Sequence, residues 1–471
     1  MNLRAKLADY HRKNLISFHT PGHKGRADLL SAARFPADDL TELPGLDMLH
    51  APEGVILEAE RRAAEVFGAE RTYFLVNGGT CGNQAIFTAL AASGRQGFVL
   101  TDRRAHRSVA AGFVLSGLRP RYLSAVTHPD FGLPLGCAEP AAADLTDLIA
   151  LHVTSPSYYG TVMDIASLSE RRAAEGEDWL LCVDAAHGAH FFGDDFPPSP
   201  LREGADVTLH SAHKTLSALT QSAFLHARGA GARSLPLASA LELLQTSSPS
   251  YLLLASMEAA VEQAARAVWP EGLREETLAL QAALGDDLRL LRDGDIGKYG
   301  IKGLDWSKIL VNLRPLDIGA AEAAEWLRTR EGVEPELWDG ENILFMLGIG
   351  NRPEDVRLLR RALENLVLQV RRGALPRLTS ARRLPLTPWP SPPPARMTPR
   401  EAWLAPKRFT PLKEAAGHIA GETVSVYPPG IPLIMAGEEI TPAIGELWRD
   451  LADCRWQGWS GRAAGAVLIA D

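Results

Sequence analysis

Cysteine is scarce: the four in 471 residues (Cys81, Cys137, Cys182 and Cys454) show neither metal-ligand nor disulfide spacing. This excludes a disulfide-stapled scaffold and a cysteine zinc site, and fits a reducing compartment. No stretch approaches 18 uncharged apolar residues, so a membrane-spanning helix is not expected. The opening "MNLRAKLADYHRKNLISFH" has no apolar run of signal-peptide length, and a cytoplasmic location is the expectation. Blocks of like charge are also missing. The 49 Lys and Arg are mixed among 57 Asp and Glu, for a net charge of -8, so neither a nucleic acid nor a membrane surface is the expected partner.

What is present is ordinary globular composition, 46% apolar and 23% charged. A single core stops growing at roughly 250 to 300 residues, so this length calls for two or three domains. Short β-rich runs, "RTYFLVNG", "GFVLT", "LIALHVT", "WLLCVDAAHG", "DVTLHSAHK" and "QSAFLHA", alternate with helical-period stretches such as "GNQAIFTALAASG" and "SLSERRAAEG". The fold class is therefore α/β, with a mainly parallel sheet sandwiched by helices. After about residue 250, long helical segments and the strands "SKILVNLRP" and "NILFMLGIG" mark a smaller α+β domain. Its last helix is opened by "NRPED", where Asn351 is the expected N-cap and Pro353 and Glu354 suit the first turn. The expected division is an arm over 1–60, a large domain over 61–265, a small domain over 266–373, a proline-rich linker over 374–405 and a C-terminal module over 406–471.

Ligands of open α/β sheets sit beyond the carboxyl ends of the strands, and three segments fall there. "FLVNGGTCGN" is a strand, a glycine turn and a helix start, a ready anion site in which Gly78, Gly79 and Gly82 permit close approach and Thr80 adds a hydroxyl. "VDAAHGAH" ends a strand with Asp184 and His187, and "HSAHKT" supplies Ser211, His213 and Lys214. Singly, these read as a tight turn, a helix cap and a solvated charge. Together, an anion cradle, a carboxylate and an amine are what pyridoxal 5'-phosphate requires: a phosphate site, a partner for its ring nitrogen and a covalent anchor. The paired HxxH spacings, His187 with His190 and His210 with His213, follow strands rather than share a helix face, which argues against a metal.

The segments "SFHTPGHKG", "LTELPGLDMLHAPEGVI", "FLVNGGTCGN", "AHRSV", "TSPSYYG", "VDAAHGAH", "HSAHKTLSALTQ", "TSSPSYLLLAS" and "YPPGIPLIMAGEEIT" resemble, in order, the successive blocks of the pyridoxal-phosphate-dependent ornithine/lysine/arginine decarboxylases. Those enzymes have the aspartate-aminotransferase fold (fold type I). The resemblance implies a transferase-like large domain, an arm that contributes to the active site, and a C-terminal decarboxylase module. Because the chain starts directly before the "TPGH" block, it also implies the short form, without a receiver-like wing domain. By resemblance Lys214 is the Schiff-base lysine, Asp184 the partner of the pyridine nitrogen, and His106 the histidine stacked on the cofactor ring. Gly79, Thr80, Cys81 and Ser211 fall at cofactor-binding positions. His213 lies beside the lysine and His187 near the ring's phenolic oxygen. The family's active site forms between subunits of a homodimer or higher oligomer, so Ser247 or Ser248 is a candidate donor to a neighbouring subunit. Glu422 and Tyr427 are candidates for the substrate pocket, set against a plain proline turn.

The sequence departs from the family pattern at Ala185 (a Glu in the usual Asp-Glu-Ala-His run), at Gly79 and Cys81 (where hydroxyl residues are common) and at Arg107 (a Lys in the His-Lys-Ser segment). The implied reaction is decarboxylation of arginine, lysine or ornithine to agmatine, cadaverine or putrescine and CO2, with a slight lean to arginine. Competing readings are another fold-type-I reaction (aminotransferase, aldolase or lyase) and a non-catalytic cofactor-bearing regulator. A metal hydrolase stands behind both.

Overall fold

The computed structural model describes residues 10, 12–30, 37–266, 269–376, 389–427, 430–451 and 455–470. Cys454, the two prolines of "YPPG" and residues 377–388 of the expected linker lie outside them. The large domain runs β1 (Arg71–Leu75), α1 (Gly78–Ala92), β2 (Phe98–Asp102), α2 (Arg107–Ser116), β3 (Arg119–Leu123), β4 (Leu148–Thr154), α3 (Ile165–Glu175), β5 (Leu180–Asp184), β6 (Val207–His210), β7 (Ala223–Ala227) and α4 (Tyr251–Ala265). Its seven-stranded sheet has the order β1-β7-β6-β5-β4-β2-β3. Strand β7 runs antiparallel to both neighbours, and every other pairing is parallel.

The pleat explains why these strands read as continuous apolar runs. In β5, Leu180 and Cys182 face one core cluster while Leu181 and Val183 face another. With helices on both sides, neither face can be polar. Strand β3 escapes the sequence pattern because "RPRYL" sits at the sheet edge, where a proline and solvated arginines are tolerated.

The small domain is a four-stranded antiparallel sheet, Arg289–Leu290, Lys308–Asn312, Asn342–Met346 and Leu337–Trp338 in spatial order. Helices Leu273–Leu284 and Pro353–Arg371 pack together on it and share its core. The N-cap of the second helix is Arg352 rather than Asn351. Asn351 instead accepts from Gly348 N at 2.9 Å and donates to Ser17 O at 3.3 Å, tying the arm to this domain. The arm strand Ile16–Phe18 pairs in parallel with Val333–Pro335, and Phe18 is fully buried in the small-domain core. Helix Val55–Phe67 runs through the expected boundary at 60 and packs on α4.

The C-terminal module holds two three-stranded sheets and the helix Pro442–Asp450, around Trp448, Trp456 and Trp459. It starts before residue 406: helix Pro399–Leu404, within the expected linker, lies on α2 with Arg400 Nη1 donating to Leu115 O at 3.0 Å. The module is anchored by a bidentate ion pair. Arg103 donates to both oxygens of Glu438, at 2.6 and 2.8 Å, and to Leu433 O at 3.1 Å, with both side chains 1% exposed. Breaking one side of a buried pair strands the other charge at a cost of about 3 to 5 kcal/mol. Arg103→Met is therefore expected to lose about that much stability in denaturant unfolding and to render the module sensitive to limited proteolysis; an unchanged transition would refute the anchoring role.

Candidate active site

The carboxyl ends of β1, β2, β4, β5 and β6 open on one cavity of about 520 Å³. Gly79, Thr80, His106, Asp184, His187, Ser211, His213 and Lys214 all line it. So do Arg107 and four residues of the C-terminal module: Tyr427, Gly430, Ile431 and Gln457.

The cradle begins at Gly78, whose φ of 75° lies in the left-handed region, and turns directly into α1. The first N–H groups of a 15-residue helix have no intrahelical partners and face the positive end of its dipole. A Cβ on Gly79 would come within 2.8 Å of Ser211 Oγ, so glycine keeps this space open between two donors. Cys81 departs from expectation. Its side chain is 3% exposed and packs into the core with Leu75, Ala85 and Leu209, and burial pushes its thiol up to about 12. Only its backbone N–H remains for an anion.

Asp184 ends β5 and is 3% exposed. One oxygen accepts from Asn83 Nδ2 at 2.8 Å, the other from Ala186 N at 3.0 Å. Asn83 is a hub that the sequence reading missed. Its second amide hydrogen goes to Ser108 Oγ at 2.9 Å, and its Oδ1 lies 3.2 Å from His152 Nε2. Burial lowers the His152 pKa and keeps the ring neutral, so the contact assigns the proton to Nε2. Ser108 N donates to His106 Nδ1 at 3.2 Å, and Ser108 Oγ lies 2.8 Å from that nitrogen. His106 is thus fixed as the Nε2–H tautomer, neutral beside Lys214, with its ring on the cavity.

Lys214 sits in the short helix Ala212–Thr215 after β6, with Nζ 2.9 Å from His187 Nε2. Burial lowers its pKa, while Asp184 and the small-domain Glu336 oppose that shift. His187 is held neutral, far below its usual range, by burial and by Lys214. Its Nδ1 is buried with no hydrogen-bond partner. His213 donates from Nδ1 to Ser222 O at 3.0 Å and is pushed down to about 4 by burial, leaving an Nε2 lone pair.

Other expected residues stand apart. Ser247 and Ser248 are exposed and do not line the cavity of their own chain. Glu422 accepts from Ser460 and does not line it either, whereas Tyr427 does. His190 turns away from His187 to pair with Asp305 at 3.1 Å. Besides Asn83, Ser108 and His152, the sequence reading passed over Tyr158 and Glu336. An asparagine one turn beyond Gly79 in α1 was the legible signal for the hub, since asparagine is a poor helix-interior residue.

An anion-sized glycine gap, a carboxylate fixed at a strand end and a buried amine meet in one cavity of a doubly covered α/β sheet. The same fold is seen in the lysine decarboxylase A of Pseudomonas aeruginosa, at TM-score 0.75 and 19% identity over 99% of this chain and 82% of that one. It is also seen in the lysine decarboxylase LdcF of Francisella novicida, at TM-score 0.73 and 18% identity over 97% and 79%. Family models described as "Orn/Lys/Arg decarboxylase, major domain" and "Orn/Lys/Arg decarboxylase, C-terminal domain" match residues 2–292 and 389–452. The chain belongs to the Orn/Lys/Arg decarboxylase family. It is 35% identical to the arginine decarboxylase of Bacillus subtilis over 90% of this chain and 88% of that protein. Its identity to the arginine decarboxylase of Bacillus cereus is 32%, over 92% and 95%.

Two outcomes are expected. Asn83→Leu leaves Asp184 and Ser108 short of a partner and is expected to destabilise the chain by roughly 1 to 3 kcal/mol in denaturant unfolding. Cys81 is expected to resist a thiol reagent at pH 8 in the folded protein and to react once unfolded, read by peptide mass mapping.

Proposed function

We propose that this chain decarboxylates a basic L-amino acid, arginine in the first place, with pyridoxal 5'-phosphate held through Lys214. The observation that carries the reading is the placement of Lys214 in one cavity with the Gly79–Ser211 cradle and the Asn83-fixed Asp184. The residues present fit the cofactor. The glycine gap and helix N-terminus suit its phosphate, with Thr80 and Ser211 as hydroxyl donors. Asp184 suits a protonated ring nitrogen, and the orphaned His187 Nδ1 marks a polar edge still in want of a partner. His106 offers a ring face.

When bound, the cofactor supplies an electron sink for the bonding pair of the Cα–carboxylate bond. The chain supplies the rest. Asp184 would partner the ring nitrogen, with its carboxylate oriented by Asn83 and the Ala186 N–H. Lys214 Nζ, with its affinity for the proton lowered by burial, is oriented by its contact with the neutral His187 Nε2 and would return a proton to Cα. His213 Nε2 is a second acceptor at the cavity wall. Tyr427, Ile431 and Gln457 close the outer side and exclude water. Among the described residues that line the cavity, Asp184 is the sole carboxylate, so neutral groups of the C-terminal module and a second subunit are left to meet the cationic end. A homodimer with its site at the interface supplies that second wall, with Ser247 or Ser248 reaching the neighbour's phosphate.

The names of the Bacillus relatives support arginine over lysine and ornithine. Purified, cofactor-loaded protein is expected to release CO2 and agmatine from arginine in preference to the corresponding products from lysine or ornithine. Lys214→Ala should lower the rate at least about 1000-fold, equivalent to about 4 kcal/mol. Absence of release from all three amino acids, with a borohydride-sensitive visible band present, would move the assignment to another reaction of the same cofactor.

A further inference from the structure

The turn over 155–161 that follows β4 is gripped by the small domain. Asp305 N donates to Gly160 O at 2.8 Å, and a Cβ on Gly160 would fall within 2.8 Å of the Lys308 side chain. Tyr158, in the middle of this turn, is partly buried with its ring centroid 4.6 Å from that of His187. His187 in turn meets Lys214 at 2.9 Å. The Tyr158 hydroxyl donates to Glu336 Oε1, and Glu336 Oε2 accepts from Thr20 N in the arm at 2.7 Å. One carboxylate of the small domain thereby joins all three parts of the chain that surround the lysine. Burial and the neighbouring Glu336 both raise the Tyr158 pKa well above its usual value, so the phenol keeps its proton and acts as donor. The charge of Glu336 acts on Lys214, His213 and Lys24, in each case favouring the protonated form.

We propose that Glu336 is a positioning residue of the decarboxylation: it holds the Tyr158 ring against His187, draws the arm and small domain over the site, and lends Lys214 a counter-charge that Asp184, committed to the ring nitrogen, does not fully supply. The proposal rests on the functional reading above. It separates two roles of one side chain, a clasp and a charge, and the two are removed by different substitutions.

The test is the pH midpoint of the Lys214 nitrogen, measured by the visible-absorption titration of cofactor-loaded protein and independently, in cofactor-free protein, by the pH dependence of Lys214 acetylation, read by mass spectrometry. Glu336→Gln keeps the shape and loses the charge, so the midpoint is expected to fall. Tyr158→Phe keeps the charge and loses one hydrogen bond, so the midpoint should hold while kcat falls several-fold at unchanged KM. Glu336→Asp should also hold the midpoint. A midpoint unmoved by Glu336→Gln, or one lowered equally by Glu336→Asp, would overturn the proposal, since a mere clasp predicts no link to charge. Absence of a cofactor band in the parent protein would instead refute the functional reading, and the acetylation midpoint would still decide the role of Glu336.

Discussion

A carboxylate buried at the end of a central strand is the constraint around which this molecule is arranged. Asp184 is 3% exposed, and an ionised group so far from water is tolerated only with hydrogen bonds and an opposite charge at hand. Asn83 is the chain's answer. Its amide spends both hydrogens, on Asp184 and Ser108, and its carbonyl receives His152. Through Ser108 the same amide sets the tautomer of His106. Helix geometry makes this possible, because Gly79 and Asn83 are four residues apart on α1 and share a face. The helix that presents its N-terminus to an anion thus also delivers the group that fixes the carboxylate. The glycine gap and the carboxylate cannot shift independently.

The second requirement is that the lysine of the short helix after β6 be sealed from behind. The arm does this with backbone rather than side chains. Gly22 N donates to His213 O at 2.7 Å, and a Cβ on Gly22 would stand 2.5 Å from Leu216 O. Gly348 and Gly350 of the small domain press as closely on Gly22 and His23 from the other side. Three glycines let three chain segments approach to contact. Lys24 closes the layer by donating to His19 O at 2.6 Å and Met346 O at 2.9 Å, and burial brings its pKa down to about 7.

Much of this was legible in the sequence, and the exceptions have physical causes. Apolar runs followed by Gly-Gly-Thr, Asp184 and Lys214 announced the strands whose ends meet in the cavity, because a doubly covered sheet leaves no polar alternation to confuse the pattern. The edge strand β3 was lost because an edge tolerates Arg and Pro. Cys81 was placed among cofactor contacts because it shares a loop with Gly79 and Thr80, yet the helical turn rotates its side chain toward the core. Asn83, Ser108 and His152 act through contacts between residues 25 to 101 positions apart, and Glu336 reaches Thr20 across 316. No local pattern encodes such pairs.

The Arg103–Glu438 pair bears on how the outer wall of the cavity keeps its place. Tyr427, Ile431 and Gln457 are more than 200 residues downstream of Lys214 in the chain, yet they border the same space. Their position is set where Glu438 meets the residue directly after β2, not by the covalent path that leads to them. Insertions or deletions in that path would change a loop entropy that varies only slowly with length, while the wall stayed in register. A change in the length of that path alone would leave the outer wall in place as long as Arg103 and Glu438 still met.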